Sequence, residues 1–208
     1  MKKFLLIDDH AVVRSGIKGL LSEMFVGSRI SEAQAGDSAV EQLKKDTYDM
    51  IMMDIQMPRT DTFGLIQYIH IQFPQARVLI FSMSSENIYA KRFLKAGAKG
   101  FISKEAPLDE IKKAINLIMN DRKYISDHLA GVLAEDSFSD KGENPFNKLS
   151  SREFEISTLL LAGHTVSDIS RLLNLQSSTV GTHKSRLFEK LAVSNLLELK
   201  ELALSFNL

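Results

Sequence analysis

Cysteine is absent from this chain of 208 residues, so it can form neither a disulfide nor a thiolate metal site. This absence is typical of proteins from a reducing cytosol. Long apolar runs are absent as well, since no uncharged stretch approaches the roughly 18 residues that a membrane span requires. The apolar N-terminus reaches Asp8 and Asp9 too soon to form the core of a signal peptide. These absences predict a soluble, cytoplasmic protein with no membrane partner.

Net charge is also absent, because 26 lysines and arginines balance 26 acids. The hydrophobic share of 44% and the charged share of 25% are those of an ordinary globular protein, and the length allows one or two domains. The charge is spread unevenly. Between residues 127 and 147, five acids occur with Lys141 as the only base, and Ser, Gly, Asn and Pro accumulate. This composition predicts a solvated linker at 126–146 between domains at 1–125 and 147–208.

The first predicted domain alternates short apolar runs with longer amphipathic stretches. The runs KFLLID, RISEAQ, YDMIMMD, ARVLIFS and GFIS have the length and composition of strands, and helical patterns lie between them. Strands that alternate with helices imply crossover connections and a parallel sheet with helices on both faces. The expected fold class of this domain is α/β, with a five-stranded parallel sheet.

Acidic residues end two of these strands. Asp8 and Asp9 follow the first strand, and Asp54 follows the third. Because the carboxyl ends of parallel strands lie along one edge of an open sheet, where ligands bind, we expect the three carboxylates to converge there. They would repel one another strongly, and a divalent cation resolves that repulsion. Hard oxygen ligands favour Mg²⁺ over a transition metal.

A hydroxyl and an ammonium complete this edge, because the fourth strand ends with Ser82 and the fifth with Lys104. Each can hydrogen-bond or neutralise an equatorial oxygen of a phosphoryl group. The carboxylate of Asp54 can be the nucleophile that forms an aspartyl phosphate. Taken singly, such residues are more often helix caps, turn residues or solvated surface groups. Their occurrence together, each at a strand end, favours a phosphoacceptor site.

In the motifs LLIDDH, MIMMDIQMP, LIFS and KAGAKGFISK, residues 1–125 resemble the receiver domain of two-component response regulators. The resemblance implies a flavodoxin-like (βα)5 fold in which Asp54 is the phosphorylated aspartate. The Mg²⁺ ligands that it implies are Asp8, Asp9, Asp54 and the backbone carbonyl of Gln56.

The same resemblance implies roles for three further residues: Ser82 as the switch hydroxyl, Lys104 as the phosphate-binding lysine and Phe101 as an aromatic switch residue. From the sequence alone, a core Phe on a buried strand explains Phe101 equally well. Two residues depart from the family pattern. Thr62 stands where a glycine is expected, and Met83 follows the switch hydroxyl, where a small residue is common. Neither departure removes a reacting group.

The second predicted domain has no strand-like run, and its residues 148–208 contain seven lysines and arginines against six acids. Ser150 or Ser151 is placed to cap a first helix, and Glu153 follows Ser150 at the spacing of a capping box. Breaks at LAGHT and LNLQS separate three amphipathic stretches. The pattern predicts a small all-α domain that contains a helix-turn-helix.

A third helix of this domain is expected to start near Ser178, with Val180, Leu187 and Leu191 facing inward. Its polar face, with hydroxyls and two cations, suits the major groove of DNA. By charge alone a solvated face is the simpler explanation, because the domain is far from strongly basic. The residues predicted to contact DNA are Thr179, Val180, Gly181, Thr182, His183, Lys184, Ser185 and Arg186.

The sequence motif favours DNA binding over a merely solvated face. The runs LSSREFEISTLLLAGHT, DISRLLNL and STVGTHKSRLFEKLAV resemble the LuxR-type helix-turn-helix of the NarL/FixJ response regulators. The resemblance implies a four-helix domain with a recognition helix near 179–190 and a last helix near 195–206 that supports dimerisation. Gly181 and Asn195 depart from the pattern, so base specificity cannot be carried over from relatives.

Together the two resemblances predict a transcription regulator rather than an enzyme. A partner histidine kinase would phosphorylate Asp54, and the resulting homodimer would bind double-stranded promoter DNA. Two alternatives remain. A hydrolase of the haloacid-dehalogenase type would need a second acid two residues beyond the nucleophile, where Gln56 stands. The other alternative is a phosphorylation-independent regulator with a degenerate receiver domain, and the intact set of polar strand ends argues against it.

Overall fold

The computed structural model describes residues 1–58, 60–131, 144–206 and 208. The chain divides into two compact units, Met1–Ala134 and Glu135–Leu208. The first unit is built from strands and helices, and the second contains helices in its described part. None of the helices in the described ranges is long and apolar enough to cross a membrane.

The first unit is a parallel sheet with helical crossovers, which confirms the predicted fold class. Its strands pair in the order β2-β1-β3-β4-β5. After β1 the chain adds β2 on one side of it and then β3 on the other side, so the carboxyl ends of β1 and β3 border the topological switch point. The elements are β1 (Lys3–Ile7), α1 (Ala11–Met24), β2 (Arg29–Ala33), α2 (Gly36–Lys45), β3 (Met50–Met53), α3 (Thr62–Gln72), β4 (Arg77–Ser82), α4 (Glu86–Lys95), β5 (Gly100–Ser103) and α5 (Leu108–Met119).

The sheet has an apolar core on each face, because successive strand residues point to opposite sides. In β1, Leu5 and Ile7 belong to one core, and Phe4 and Leu6 belong to the other. Helices α2, α3 and α4 cover the first core, and α1 and α5 cover the second. With both faces covered, β3 is buried along its whole length and β1 is buried from Phe4 to Ile7, so polar side chains of these two strands lie only at the strand ends.

The first unit extends beyond residue 125, where the sequence predicted a solvated linker. Ser126 donates a hydrogen bond of 2.7 Å to Glu86 at the start of α4, and its hydroxyl also accepts from the backbone N–H of Leu129. Leu129 is 1% exposed and packs into the first core. The burial of Leu129 and the hydrogen bonds of Ser126 thus hold 126–131 on the unit. The linker prediction for residues 132–143 lies outside the described residues.

In its described residues the second unit consists of helices, which confirms the predicted all-α class. The first element among its described residues is a 3-10 helix at Pro145–Lys148, and Phe146, inside the predicted linker, is buried in this unit. The α-helices that follow are α6 (Ser151–Leu161), α7 (Val166–Leu173), α8 (Ser177–Leu191) and α9 (Leu196–Ser205).

Capping residues set the helix ends of this unit. Of the two serines considered for the first cap, Ser150 caps α6, and it forms a reciprocal capping box with Glu153. Asn174 ends α7 in the left-handed conformation, which asparagine tolerates better than most residues. Asn195, which departs from the family pattern, caps α9 by accepting a 3.0 Å hydrogen bond from the N–H of Glu198. Its side chain therefore has a structural role.

Candidate functional site

Asp54 lies at the switch point because β3 ends one residue before it. Its backbone N–H continues the sheet by donating to the carbonyl of Ile7 in β1. The residue is only 3% exposed, and Met53 before it is fully buried. A carboxylate in such a place costs free energy unless partners compensate it.

Three groups compensate the Asp54 carboxylate. The hydroxyl of Ser82 donates to Oδ1 at 2.6 Å, and the backbone N–H of Gln56 donates to the same oxygen at 3.0 Å. The ammonium of Lys104 donates to Oδ2 at 2.6 Å. The strand ends that the sequence predicted to converge therefore meet on one carboxylate.

Lys104 also joins Asp54 to the second buried acid. Its nitrogen lies 2.7 Å from Oδ2 of Asp8, and its side chain is 8% exposed. Burial alone would lower the pKa of Lys104, but the hydrogen bonds and negative charges of Asp54 and Asp8 outweigh burial and raise it. The lysine is therefore a cation throughout the physiological pH range.

Asp8, Asp9, His10 and Asp54 form a compact group in which one ligand atom from each lies within 4.8 Å of the others. Oδ1 of Asp8 accepts from the backbone N–H of His10 at 2.8 Å, and Nδ1 of His10 lies 2.9 Å from Oδ1 of Asp9. Arg14 donates to the backbone carbonyl of Asp8 at 2.6 Å. Three carboxylates against the single ammonium of Lys104 leave a surplus of negative charge. This oxygen-rich set suits a hard divalent cation.

Two departures from the family pattern have a defined place at this site. Thr62 is 5% exposed at the start of α3, and its hydroxyl donates to the backbone carbonyl of Ile55 at 3.2 Å. Met83 is 56% exposed, so most of its surface faces solvent rather than the carboxylate. Phe101 is 1% exposed and packs into the first core. In this conformation Phe101 is part of the core, as the simpler of its two explanations predicts.

Helix α8 presents most of the residues predicted to contact DNA. Thr182, Ser185 and Arg186 are exposed, and the remaining predicted contacts except one are partly exposed. The exception is Val180, which is 0% exposed. Its side chain lies with Leu187 in the interior of the unit, so it supports the helix and is unavailable as a surface contact.

The polar groups of α8 differ in what they can offer a ligand. Thr182 and Ser185 donate their hydroxyl hydrogens to backbone carbonyls one turn earlier, which leaves their oxygens as acceptors. Lys184 lies over the ring of Phe188, 5.3 Å from its centre. Burial lowers the pKa of His183. The charge of Glu153 raises this pKa, but the charges of Arg152 and Arg186 lower it further. The imidazole is therefore neutral at pH 7, and the cations of this face are Lys184 and Arg186.

The sequence-based reasoning missed two polar residues at the phosphoacceptor site. His10 is adjacent to the acidic pair, and the run DDH could have drawn attention to it. Arg14 lies six residues from Asp8, and α1 brings it back to the Asp8 carbonyl. No local motif signals that contact, because its acceptor is a backbone atom.

Comparison with known families matches both units. The family model described as the response regulator receiver domain matches residues 4–116, and the model described as bacterial regulatory proteins of the luxR family matches residues 147–203. Response regulator GacA of Pseudomonas syringae pv. syringae is 33% identical over 204 residues, which cover 98% of this chain and 95% of GacA. Response regulator UvrY of Escherichia coli is 31% identical over 209 residues, which cover 100% of this chain and 96% of UvrY.

Solved structures resemble the chain as well. RcsB from Salmonella enterica serovar Typhimurium, bound to promoter rprA in the presence of the phosphomimetic BeF3−, has a TM-score of 0.69. The match covers 97% of both chains at 23% sequence identity, which supports the fold alone. A LuxR-family two-component response regulator from Aurantimonas sp. has a TM-score of 0.60 at 29% identity, covering 66% of this chain and 98% of that one.

Proposed function

This chain belongs to the NarL/FixJ family of two-component response regulators, and we propose that phosphoryl transfer to Asp54 controls its binding to promoter DNA. As a member of that family it is a two-component, DNA-binding regulator of transcription. The proposal assigns the phosphoacceptor, the cation ligands and the DNA-contacting residues. It also assigns a receiver domain at 1–125, on which residues 126–131 pack, and a DNA-binding domain at 147–208.

The observation that carries the proposal is the buried carboxylate of Asp54 with a hydroxyl and an ammonium on its two oxygens. Ser82 and Lys104 are the groups that a phosphoryl oxygen would also need. After transfer, each could move its hydrogen bond from the carboxylate to the new phosphoryl group. The site thus offers both a nucleophile and stabilisation of the added charge.

In the proposed reaction, a carboxylate oxygen of Asp54 attacks the phosphorus of a phosphohistidine on a partner kinase. An O–P bond forms, the P–N bond breaks, and the electron pair returns to the histidine nitrogen. Mg²⁺, held by Asp8, Asp9, Asp54 and the backbone carbonyl of Gln56, would neutralise charge on the phosphoryl oxygens. Lys104 and Ser82 hold the product, and Phe101 is the proposed aromatic switch residue.

The test is incubation of the full chain with acetyl phosphate and Mg²⁺, followed by measurement of the intact mass. We expect one phosphoryl adduct on the wild type and none on Asp54→Asn. Asp109→Asn, an exposed acid on α5, is the matched control and should be labelled like the wild type. If the wild type stays unlabelled while a known receiver domain is labelled, the phosphoacceptor proposal fails and phosphorylation-independent regulation replaces it.

For the second unit, we propose that α8 enters the major groove and that Lys184 and Arg186 contact phosphates or guanine edges. The side chain of Val180 is no longer among the proposed contacts, because it is buried. A single copy of the second unit carries few cations with which to bind DNA. A homodimer formed after phosphorylation would double the contacts and match a site of two half-sites.

Duplexes selected from a random pool by the phosphorylated full chain would test this part. We expect selected sequences to contain two related half-sites. Arg186→Ala should weaken binding and reduce the salt dependence of the binding constant, since each phosphate contact releases condensed counterions. Arg171→Ala, an exposed arginine on α7 paired with Asp168, serves as the control. Equal losses in the two variants would contradict the assignment of α8.

A further inference from the structure

The loop after β3 contains a peptide unit that is held at both ends. The unit joins Ile55 to Gln56. Its N–H donates to Oδ1 of Asp54 at 3.0 Å, and its C=O accepts from the hydroxyl of Thr62 at 3.2 Å. A peptide unit is planar, and its N–H and C=O point in opposite directions, so a bond to one end also orients the other.

Thr62 is itself fixed, because it is the first residue of α3 and is 5% exposed. The helix start is capped by Asp61, which accepts a 2.9 Å hydrogen bond from the N–H of Gly64. A glycine at position 62 could not donate to the Ile55 carbonyl. The threonine that departs from the family pattern therefore adds a bond to the loop that carries the proposed cation ligand.

We propose that Thr62 is a positioning residue for the phosphoacceptor site. Its hydroxyl holds the Ile55–Gln56 peptide so that the N–H stays on Asp54, and the following carbonyl, of Gln56, stays oriented for a divalent cation. This inference rests on the function proposed above, since it concerns the same carboxylate and the same cation.

The loop supplies its own matched control. Thr60 is also buried, but its hydroxyl accepts from the N–H of Gly36 at the start of α2 and makes no bond to the Ile55–Gln56 peptide. Replacement of Thr60 by valine removes a buried hydroxyl from the same loop and leaves the hydrogen bonds of the Ile55–Gln56 peptide unchanged. A general loosening of the loop would affect both variants, whereas a positioning role affects only Thr62.

The experiment measures Mg²⁺ affinity by calorimetric titration of the full chain, at a temperature where every variant is folded. Thermal unfolding in the presence of EDTA is recorded beside it. We expect Thr62→Val to raise the dissociation constant for Mg²⁺ by about threefold to tenfold, the equivalent of one lost hydrogen bond. Thr62→Ser should restore the wild-type value, and Thr60→Val should retain it. Should the valine variant fail to fold, Thr62→Ala takes its place.

A second readout separates positioning from stability. At saturating Mg²⁺, labelling of Thr62→Val by acetyl phosphate should be slower than labelling of the wild type, because the N–H of Gln56 no longer has a fixed direction. Equal Mg²⁺ affinities for wild type and Thr62→Val would overturn the inference, and so would equal losses in Thr62→Val and Thr60→Val. Failure of the wild type to form an adduct would instead refute the phosphoacceptor proposal, so the two failures are distinguishable.

Discussion

The ammonium nitrogen of Lys104 lies 2.6 Å from Oδ2 of Asp54, so the proposed phosphoacceptor is half of a buried ion pair before any cation binds. The same nitrogen lies 2.7 Å from Asp8. Because the pKa of Lys104 is raised, the contribution of these pairs to stability is complete below its ordinary value of 10.5 and is lost only as the pH rises through the higher value. Lys104 and a divalent cation would therefore compensate the negative charges of the same two acids, Asp8 and Asp54.

That overlap predicts a stability change that depends on Mg²⁺. In EDTA, Lys104→Gln should lower the free energy of unfolding of the first unit by about 3 kcal/mol, because it leaves buried carboxylates unpaired. In millimolar Mg²⁺ the deficit should shrink, since the cation takes over the compensation. Tyrosine fluorescence during urea unfolding measures it, because the four tyrosines, Tyr48, Tyr68, Tyr89 and Tyr124, all lie in this unit.

The control for this prediction is Lys99→Gln. Lys99 pairs with Asp121, whose side chain is 67% exposed, so its loss should cost at most about 1 kcal/mol with or without Mg²⁺. A Lys104→Gln deficit that is the same in EDTA and in Mg²⁺ would show that lysine and cation act at different places.

Leu129 leads to a second prediction, about where the first unit ends. Leu129→Ala should lower the free energy of unfolding of this unit by about 3 kcal/mol, since it removes a fully buried side chain and leaves a cavity. His128→Ala changes an exposed neighbour and should alter it by less than about 0.5 kcal/mol. Tyrosine fluorescence in urea again reports the change. Similar small effects of both substitutions would mean that residues 126–131 contribute little to the unit.

The outcome at Leu129 illustrates what could and could not be predicted from the sequence. The sheet and the converging strand ends were predictable, because buried parallel strands are continuous apolar runs and their polar ends stand out. Average composition hid Leu129, because the acids and small polar residues of 126–146 set the character of the segment although it also contains several apolar residues. The bond from Thr62 to Ile55 was equally hidden, because its acceptor is a backbone atom. Val180 was assigned to DNA by its position in a motif, although its helical spacing already placed it inside.

A third prediction concerns the pH dependence of the second unit. Glu153 is 3% exposed. Burial alone would raise its pKa, but hydrogen bonds from Lys190 and Ser150 lower it below its ordinary value of 4.5. A lowered pKa means that the carboxylate stabilises the folded state fully above pH 4.5 and loses that effect as the pH falls through the lower value.

Glu153→Gln should therefore cost roughly 2 kcal/mol at pH 7, the size of hydrogen bonds to a charged group. The difference from the wild type should narrow as the pH drops below 4.5. Urea unfolding followed by the NMR signals of His164 measures it, because that imidazole lies in the second unit. Glu189→Gln, an exposed acid on α8, should show no such narrowing. A gap that widens in acid would reverse the assigned sign.

The fourth prediction compares two glycines of the second unit, which both have open space around them but differ in backbone conformation. Among the described residues, a Cβ added at Gly181 or at Gly163 would meet no atom within 4 Å beyond the adjoining backbone. Gly181 lies inside α8, where glycine is less favourable than alanine, so Gly181→Ala should stabilise the unit by about 0.5–1 kcal/mol. Gly163 has a φ of +90°, so Gly163→Ala should destabilise the unit by about 1 kcal/mol or more.

Both changes are measured by urea unfolding with the His164 signals, and affinity for the selected duplex is measured beside them. The space around Gly181 is open among the described residues, and the absence of a side chain there would let the backbone of the proposed recognition helix approach DNA closely. Gly181→Ala should then bind the duplex more weakly although it is more stable, a combination that loss of folding cannot produce. Unchanged affinity with higher stability would place Gly181 outside the DNA contact, and lower stability would contradict the open space around it.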